Sequence, residues 1–126
     1  MKLLVDTSIL IDNLRGGKQL EIFLNSINED DILYISSIVI FELYSGLSSK
    51  KAVVFKKIFE FKKYFKIVDL DWDIARRGGE MNRDLNVELD SPDYLIAATA
   101  QEIGALVVTL NKKHFEKIPG LQIYPL

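Results

Sequence analysis

The sequence contains no cysteine and only one histidine. The absence of cysteine excludes disulfides, thiolate catalysis and zinc–thiolate sites. With His114 alone, a mechanism that needs two histidines is impossible within one chain, and a lone histidine in a loop is usually just an exposed side chain. A glycine-rich phosphate loop and a Ser-His-Asp set are absent too. The acidic side chains remain as the main candidates for chemistry.

Long apolar runs are also missing. No stretch approaches membrane-spanning length, and the first apolar run, Leu3–Val5, is too short and too soon followed by an acid for a signal peptide. We therefore expect a cytoplasmic protein without a membrane partner. The 126 residues, 48% of them hydrophobic, predict a single domain over residues 1–126 with its own core.

Neither sign of charge is in large excess, since the net charge is −2. The distribution is uneven, because residues 50–66 carry seven lysines and one glutamate while the flanking segments are net acidic. A basic stretch on an acidic protein is compatible with contact to a phosphate backbone. A solvated helix face is the simpler explanation for a lysine stripe alone.

The N-terminal run Leu3–Val5 is typical of a strand buried on both faces of a parallel sheet. Asp6 ends this run, and Thr7 and Ser8 then offer side-chain oxygens that can cap a helix. In open α/β sheets, ligands bind outside the carboxyl ends of the strands. Asp6 is therefore a candidate site residue, although a turn or a capping role would also explain it.

Two further acids are predicted to reach the same edge of the sheet. Glu42 lies in the second turn of a helix that directly follows the strand Ile32–Ile35, and its apolar neighbours make a carboxylate costly without a metal or cationic partner. Asp93 lies in the first turn of a helix with Ser91 as its N-cap, just before the strand Leu106–Val108. The alternatives are an outward-facing Glu42 and an Asp93 that only complements the helix dipole.

The coarse order of elements is β α α β α α β α α β (α) β, which predicts a mostly parallel sheet of about five strands with helices on both faces. The two remaining strands are predicted at Lys66–Leu70 and Leu121–Tyr124. Helices are predicted at Ser8–Leu14, Lys18–Ile27, Ile38–Leu47, Ser48–Tyr64, Asp71–Val87 and from Ser91 to Gly104. The aromatic surplus between Val53 and Phe65 is either core or a self-association face, and it predicts a homodimer.

Three carboxylates at one sheet edge would repel one another. Two carboxylates about 5 Å apart repel by roughly 3 kcal/mol at an effective dielectric of 20. Hard cations relieve that repulsion, and all-oxygen ligands select Mg²⁺ or Mn²⁺ over zinc. A carboxylate-bound Mg²⁺ site suits the hydrolysis of phosphodiester bonds.

The chain resembles the PIN domain family, and most of all the VapC toxins of VapBC toxin–antitoxin pairs. The motifs that carry this resemblance are, in chain order, Leu4–Ser8, Phe41–Leu43 with Gly46, Asp93–Ala98, and Val108–Asn111 with His114 and Phe115. The resemblance implies a three-layer α/β/α sandwich and a Mg²⁺-dependent ribonuclease. It also implies a homodimer that is inhibited by a small VapB-like antitoxin.

The resemblance also implies roles for individual residues. Asp6 and Asp93 are expected to be the main metal ligands, and Glu42 completes the acidic cluster. Asn111 stands where the family often has a fourth acid, so we expect it to act with the three acids. The sequence does not decide whether there is a second metal site. Asp90 is near enough to replace that acid, or it only shapes the loop.

Other polar residues lie close to these motifs in the sequence. We predict supporting roles for three hydroxyl side chains: Thr7, Ser8 and Thr109. Lys112 and Lys113 flank Asn111 and are candidates for binding the RNA substrate.

Three other functions stay open. A phospho-accepting receiver domain is also a small α/β protein with an acidic edge, but here the first strand ends in a single Asp and no lysine follows the last strand. A non-catalytic PIN-like module that binds RNA or a protein fits the same residues. A PIN nuclease that acts in RNA maturation, rather than as a toxin, fits them as well.

Overall fold

Four parallel strands form the centre of the fold in the computed structural model, which describes residues 1–126. The sheet order is β3-β2-β1-β4, with strands at Lys2–Val5 (β1), Ile32–Ser36 (β2), Lys66–Val68 (β3) and Leu106–Val108 (β4). The helices are Thr7–Leu14 (α1), Gln19–Ser26 (α2), Ser37–Ser45 (α3), Ala52–Glu60 (α4), Trp72–Asp84 (α5), Ser91–Ile103 (α6) and Lys112–Phe115 (α7). They flank the sheet, which confirms the predicted α/β/α architecture. No helix is long and apolar enough to span a membrane.

The strand β1 lies inside the sheet, between β2 and β4. Leu4 pairs with Tyr34 on one side and with Val107 on the other. Leu3, Leu4 and Val5 have no exposed surface, which confirms the prediction of a strand covered on both faces. Because all four strands run parallel, the carboxyl ends of β1, β2 and β4 open onto one edge of the sheet.

The predicted fifth strand at Leu121–Tyr124 is reduced to a single bridge between Ile123 and Val107. Two backbone hydrogen bonds hold this segment on β4, from Val107 N to Gln122 O and from Tyr124 N to Val107 O, both 2.9 Å long. The proline that follows lacks an N–H and cannot extend the ladder. The sheet therefore has four strands rather than about five.

Two of the predicted helix caps are wrong. Thr7 and Ser8 do not cap α1, because Asp6 is its N-cap residue and makes no side-chain capping bond. Both hydroxyls donate to carboxylates instead, which are stronger acceptors than neutral groups. Helix α6 includes Ser91, so that Asp90 is its N-cap residue.

The aromatic stripe after residue 52 divides between the core and the solvent. The helix there is shorter than predicted, since 3₁₀ turns at Leu47–Lys50 and Phe61–Lys63 flank α4. The inner side of the stripe is buried at Ile58, Phe61 and Phe65. The outer side is more than half exposed at Val53, Phe55 and Phe59. The stripe therefore supplies core and leaves three apolar side chains of α4 exposed.

Helices α5 and α6 approach each other closely at Gly78. A Cβ at this position would lie 3.0 Å from Leu95 Cδ2 and 3.5 Å from the carbonyl oxygen of Tyr94. A Cβ at the neighbouring Gly79 would meet nothing within 4 Å. Gly78 therefore permits close packing of the two helices, and the two glycines form a matched pair for testing it.

We predict that Gly78→Val lowers the free energy of unfolding by about 1–3 kcal/mol, because the new side chain must displace Leu95 or separate the helices. Gly79→Val should cost nothing, since valine has a higher helix propensity than glycine by a few tenths of a kcal/mol. Urea unfolding of the two variants measures the difference. Equal losses at both positions would mean that helix packing is not what Gly78 provides.

Candidate active site

Asp6 follows β1 and is almost completely buried, since only 3% of its surface is exposed. Its Oδ2 accepts hydrogen bonds from the hydroxyls of Ser8, at 2.9 Å, and Thr109, at 2.7 Å. Its Oδ1 accepts no hydrogen bond from the protein. A buried carboxylate is tolerated when donors satisfy it, so the two hydroxyls account for one oxygen and leave the other available.

Glu42 is placed by α3, which starts directly after β2. Ser36 caps this helix by accepting a hydrogen bond from Ile38 N at 3.1 Å. The hydroxyl of Thr7 donates to Glu42 Oε1 at 2.7 Å and so links α1 to α3. Burial raises the pKa of Glu42, the Thr7 hydrogen bond opposes that rise, and the negative charge of Asp6 adds to it.

Asp93 projects from the first turn of α6, where it is half-buried. Burial and the charge of Asp6 raise its pKa, whereas His114 opposes the rise. His114 Nδ1 lies 3.6 Å from Asp93 Oδ2. The only histidine therefore lies beside the third acid, although nothing in the sequence around it predicted that contact.

The three acids lie in one cleft of about 410 Å³, which we call the acidic cleft. Six of the residues predicted for the site line it: Asp6, Thr7, Ser8, Glu42, Asp93 and Asn111. As the side chains stand, no three acidic or histidine groups are close enough to hold a metal ion jointly. The structure thus brings together anionic oxygen donors at one sheet edge without an assembled coordination site.

Two predicted supporting residues act from outside the acidic cleft. Thr109 is fully buried, and its hydroxyl donates to Asp6 while accepting a hydrogen bond from Asn111 N at 2.9 Å. Asp90 is exposed and does not line the cleft, although its charge contributes to the raised pKa of both Glu42 and Asp93. Asp90 therefore shapes the electrostatics of the site from the start of α6.

Sequence reasoning missed two charged residues of the acidic cleft, Asp12 and Arg15. Both lie on the same face of α1 as Ser8, because residues three and four positions apart are neighbours on a helix. That spacing is readable from the sequence. No motif, however, marks the end of α1 as part of a site.

A second cleft of about 610 Å³ adjoins the first and shares Leu110 and Asn111 with it. Its remaining lining includes Lys112, Lys113 and His114, so we call it the basic cleft. Helix α7 places these three residues directly after Asn111. The predicted substrate-binding lysines therefore lie next to the acidic cleft and not in it.

The sequence matches the PIN domain family over residues 3–121. The chain belongs to the PIN domain family. It is 34% identical to Ribonuclease VapC19 of Mycobacterium tuberculosis over 123 residues, which cover 94% of this chain and 96% of that protein. It is also 34% identical to Ribonuclease VapC1 of Methanocaldococcus jannaschii over 128 residues, covering 98% of this chain and 87% of that one.

The fold of this PIN domain is also similar to a chain in the crystal structure of VapBC2 from Rickettsia felis bound to a promoter DNA fragment. The TM-score is 0.87 at 27% identity, and the match covers 98% of both chains. The resemblance to VapC proteins that the motifs indicated is thereby confirmed. The roles of individual site residues stay predictions.

We predict that Glu42→Gln stabilises the metal-free PIN domain at pH 7, because it removes a charge that burial and Asp6 disfavour. The new amide oxygen can still accept from Thr7. The raised pKa of Glu42 means that the folded state favours its protonated form. Below the pKa of glutamate in the unfolded chain, about 4.3, the group is protonated in both states and no longer opposes folding. As the pH rises from there through the folded-state pKa, the parent protein loses stability relative to the variant.

Thermal melts in EDTA at several pH values between 4 and 7 check this prediction. The stability gap between Glu42→Gln and the parent should be widest at pH 7 and narrow toward pH 4. The matched control is Glu29→Gln, which removes the same charge from an exposed turn. A gap that is independent of pH would show that the charge of Glu42 is not the cause.

Proposed function

We propose that this PIN domain is a Mg²⁺-dependent endoribonuclease and the toxin of a VapBC-type toxin–antitoxin pair. The observation that carries the proposal is the meeting of Asp6, Glu42 and Asp93 in one cleft, where the pKa values of Glu42 and Asp93 are both raised. Relatives named as VapC ribonucleases match nearly the whole chain and support the same activity.

Asp6, Glu42 and Asp93 are the residues that would hold Mg²⁺, or Mn²⁺ in its place, after their side chains move closer together. Each has a carboxylate oxygen that no protein donor contacts, and hard oxygen donors suit these ions. A bound ion would supply an activated water and neutralise the charge on the leaving oxygen of the phosphodiester. Ser8 and Thr109 hold the carboxylate of Asp6 in place, and Thr7 holds that of Glu42.

The RNA backbone would pass from the acidic cleft into the basic cleft. Asn111 lies at their junction and can orient a phosphate or a water through its amide. Lys112 and Lys113 offer cations beyond it, where the phosphates next to the cleaved bond must lie. This arrangement separates the acids that act on the bond from the lysines that bind its neighbours.

A small VapB-like antitoxin and a second copy of the chain are the proposed protein partners. The solved relatives include VapBC complexes. Phe55 and Phe59 are exposed on one side of α4, and exposed aromatic neighbours of this kind support a protein partner there. The homodimer stays a prediction.

We predict that Asp6→Asn and Asp93→Asn each reduce RNA cleavage about a hundredfold or more, the loss typical when a group that stabilises transition-state charge is removed. Both variants should stay folded, because each removes a charge from a crowded acidic cleft. The assay is cleavage of total cellular RNA with Mg²⁺ or Mn²⁺, where EDTA should abolish the activity.

The matched control is Asp73→Asn, an exposed first-turn position of α5 that does not line the cleft. Melting curves accompany every activity measurement. Parent-like cleavage by either site variant would contradict the assignment, and an unfolded variant would make that acid structural. Cleavage that persists in EDTA would rule out the metal dependence.

We predict that Asn111→Asp tightens Mn²⁺ binding and lowers the stability of the metal-free protein by about 1 kcal/mol, because a fourth carboxylate adds repulsion at a solvent-exposed position. Calorimetric titration with Mn²⁺ and melting in EDTA measure the two effects. If neither changes, the side chain of Asn111 does not face the acids.

A further inference from the structure

Arg15 brings a positive charge into a cleft that is otherwise acidic. It follows the last residue of α1 and lines the acidic cleft together with Asp6, Asp12, Glu42 and Asp93. A cation at a helix C-terminus is favoured by the helix dipole. That preference accounts for a basic residue at the end of α1, but not for its place in the cleft.

The guanidinium of Arg15 is unpaired, which sets it apart from the other arginines. Arg76, Arg77 and Arg83 each form an ion pair with a nearby carboxylate. Arg15 forms none and donates no side-chain hydrogen bond, although four carboxylates line the same cleft. Its five N–H donors are therefore all available to a ligand.

The backbone that carries Arg15 is fixed by Asp12. The carboxylate of Asp12 accepts a hydrogen bond from Gln19 N at 3.1 Å, and its carbonyl oxygen accepts one from Gly17 N at 2.8 Å. A Cβ at Gly17 would overlap the Asp12 carboxylate, and Gly16 has a φ of +86°, so this turn suits only glycine. Asp12 is thus used to hold the turn and not to neutralise Arg15.

We propose that Arg15 binds a phosphate of the RNA substrate at the α1 end of the acidic cleft. This inference rests on the proposed ribonuclease function and adds a substrate-binding residue to it. A polyanion that enters a cleft with four carboxylates needs cations along its path. A guanidinium presents two parallel N–H donors that match two phosphate oxygens in a fixed plane, whereas a lysine ammonium acts as a point charge.

The competing explanation is that Arg15 only offsets the charge of the carboxylates. In that case its removal would lower the melting temperature of the metal-free protein and leave the salt dependence of RNA binding unchanged. A phosphate contact has a different signature, because the negative slope of log affinity against log salt becomes shallower by about 0.7 for each phosphate of a single strand that the protein no longer neutralises.

The experiment measures binding of a fluorescein-labelled single-stranded RNA of random sequence in Ca²⁺ buffer, over a series of KCl concentrations. Arg15→Gln should weaken binding about tenfold at low salt and make the negative slope shallower by about 0.7. Arg15→Lys should restore the slope but only part of the affinity. The control Lys2→Gln removes a charge at the start of β1, the opposite edge of the sheet, and should change neither quantity.

The outcomes separate this inference from the function on which it rests. If the parent protein binds and cleaves RNA while Arg15→Gln keeps its affinity and slope, Arg15 does not contact phosphate and the ribonuclease proposal stands. A lower melting temperature of Arg15→Gln in EDTA with an unchanged slope assigns it to charge balance and also overturns the inference. A parent protein that neither binds nor cleaves RNA overturns both.

Discussion

The burial of one carboxylate, that of Asp6, is the constraint on which the site depends. A charge at the end of an interior strand must be hydrogen-bonded to remain, and its partners come from two separate segments. Ser8 lies on α1 and Thr109 follows β4. The Ser8 hydroxyl also accepts a hydrogen bond from the backbone N–H of Leu110, and the Thr109 hydroxyl accepts one from that of Asn111. Satisfying Asp6 therefore fixes the loop that leads into the basic cleft.

The remaining acids are positioned against their own electrostatic preference. Thr7 holds Glu42 in a half-buried place where burial, and after it the neighbouring charges, raise its pKa. Helix α6 holds Asp93 in a similar environment. The packing of the sheet and helices must offset this repulsion, because the acids themselves oppose folding when ionised. Natural proteins break local rules of stability mainly where function needs it. The acidic cleft fits that pattern, since nothing in the core requires three carboxylates there.

Topology made the acids predictable from the sequence. Parallel strands bring their carboxyl ends to one edge, so the positions of Asp6, Glu42 and Asp93 relative to strands were enough to place them together. The roles of the hydroxyls were not predictable, because the sequence around Thr7 is equally compatible with a helix cap and with a hydrogen bond to a distant carboxylate. Only the fold, which brings α1 beside α3, decides between them. The prediction of a fifth strand was wrong for a related reason. Pairing with β4 depends on how the chain approaches the edge of the sheet, and the apolar pattern of a segment does not reveal that.

Charge separation along the two clefts has a consequence for the proposed nuclease. In that proposal RNA would meet carboxylates at the reacting bond and the cations Arg15, Lys112 and Lys113 around it. A divalent ion between the acids would cancel most of their negative charge and so raise the affinity for RNA. Because such coupling is reciprocal, bound RNA would raise the affinity for the ion by the same factor. The acids alone then need only weak affinity for Mg²⁺, which agrees with side chains that do not converge on a ready coordination site.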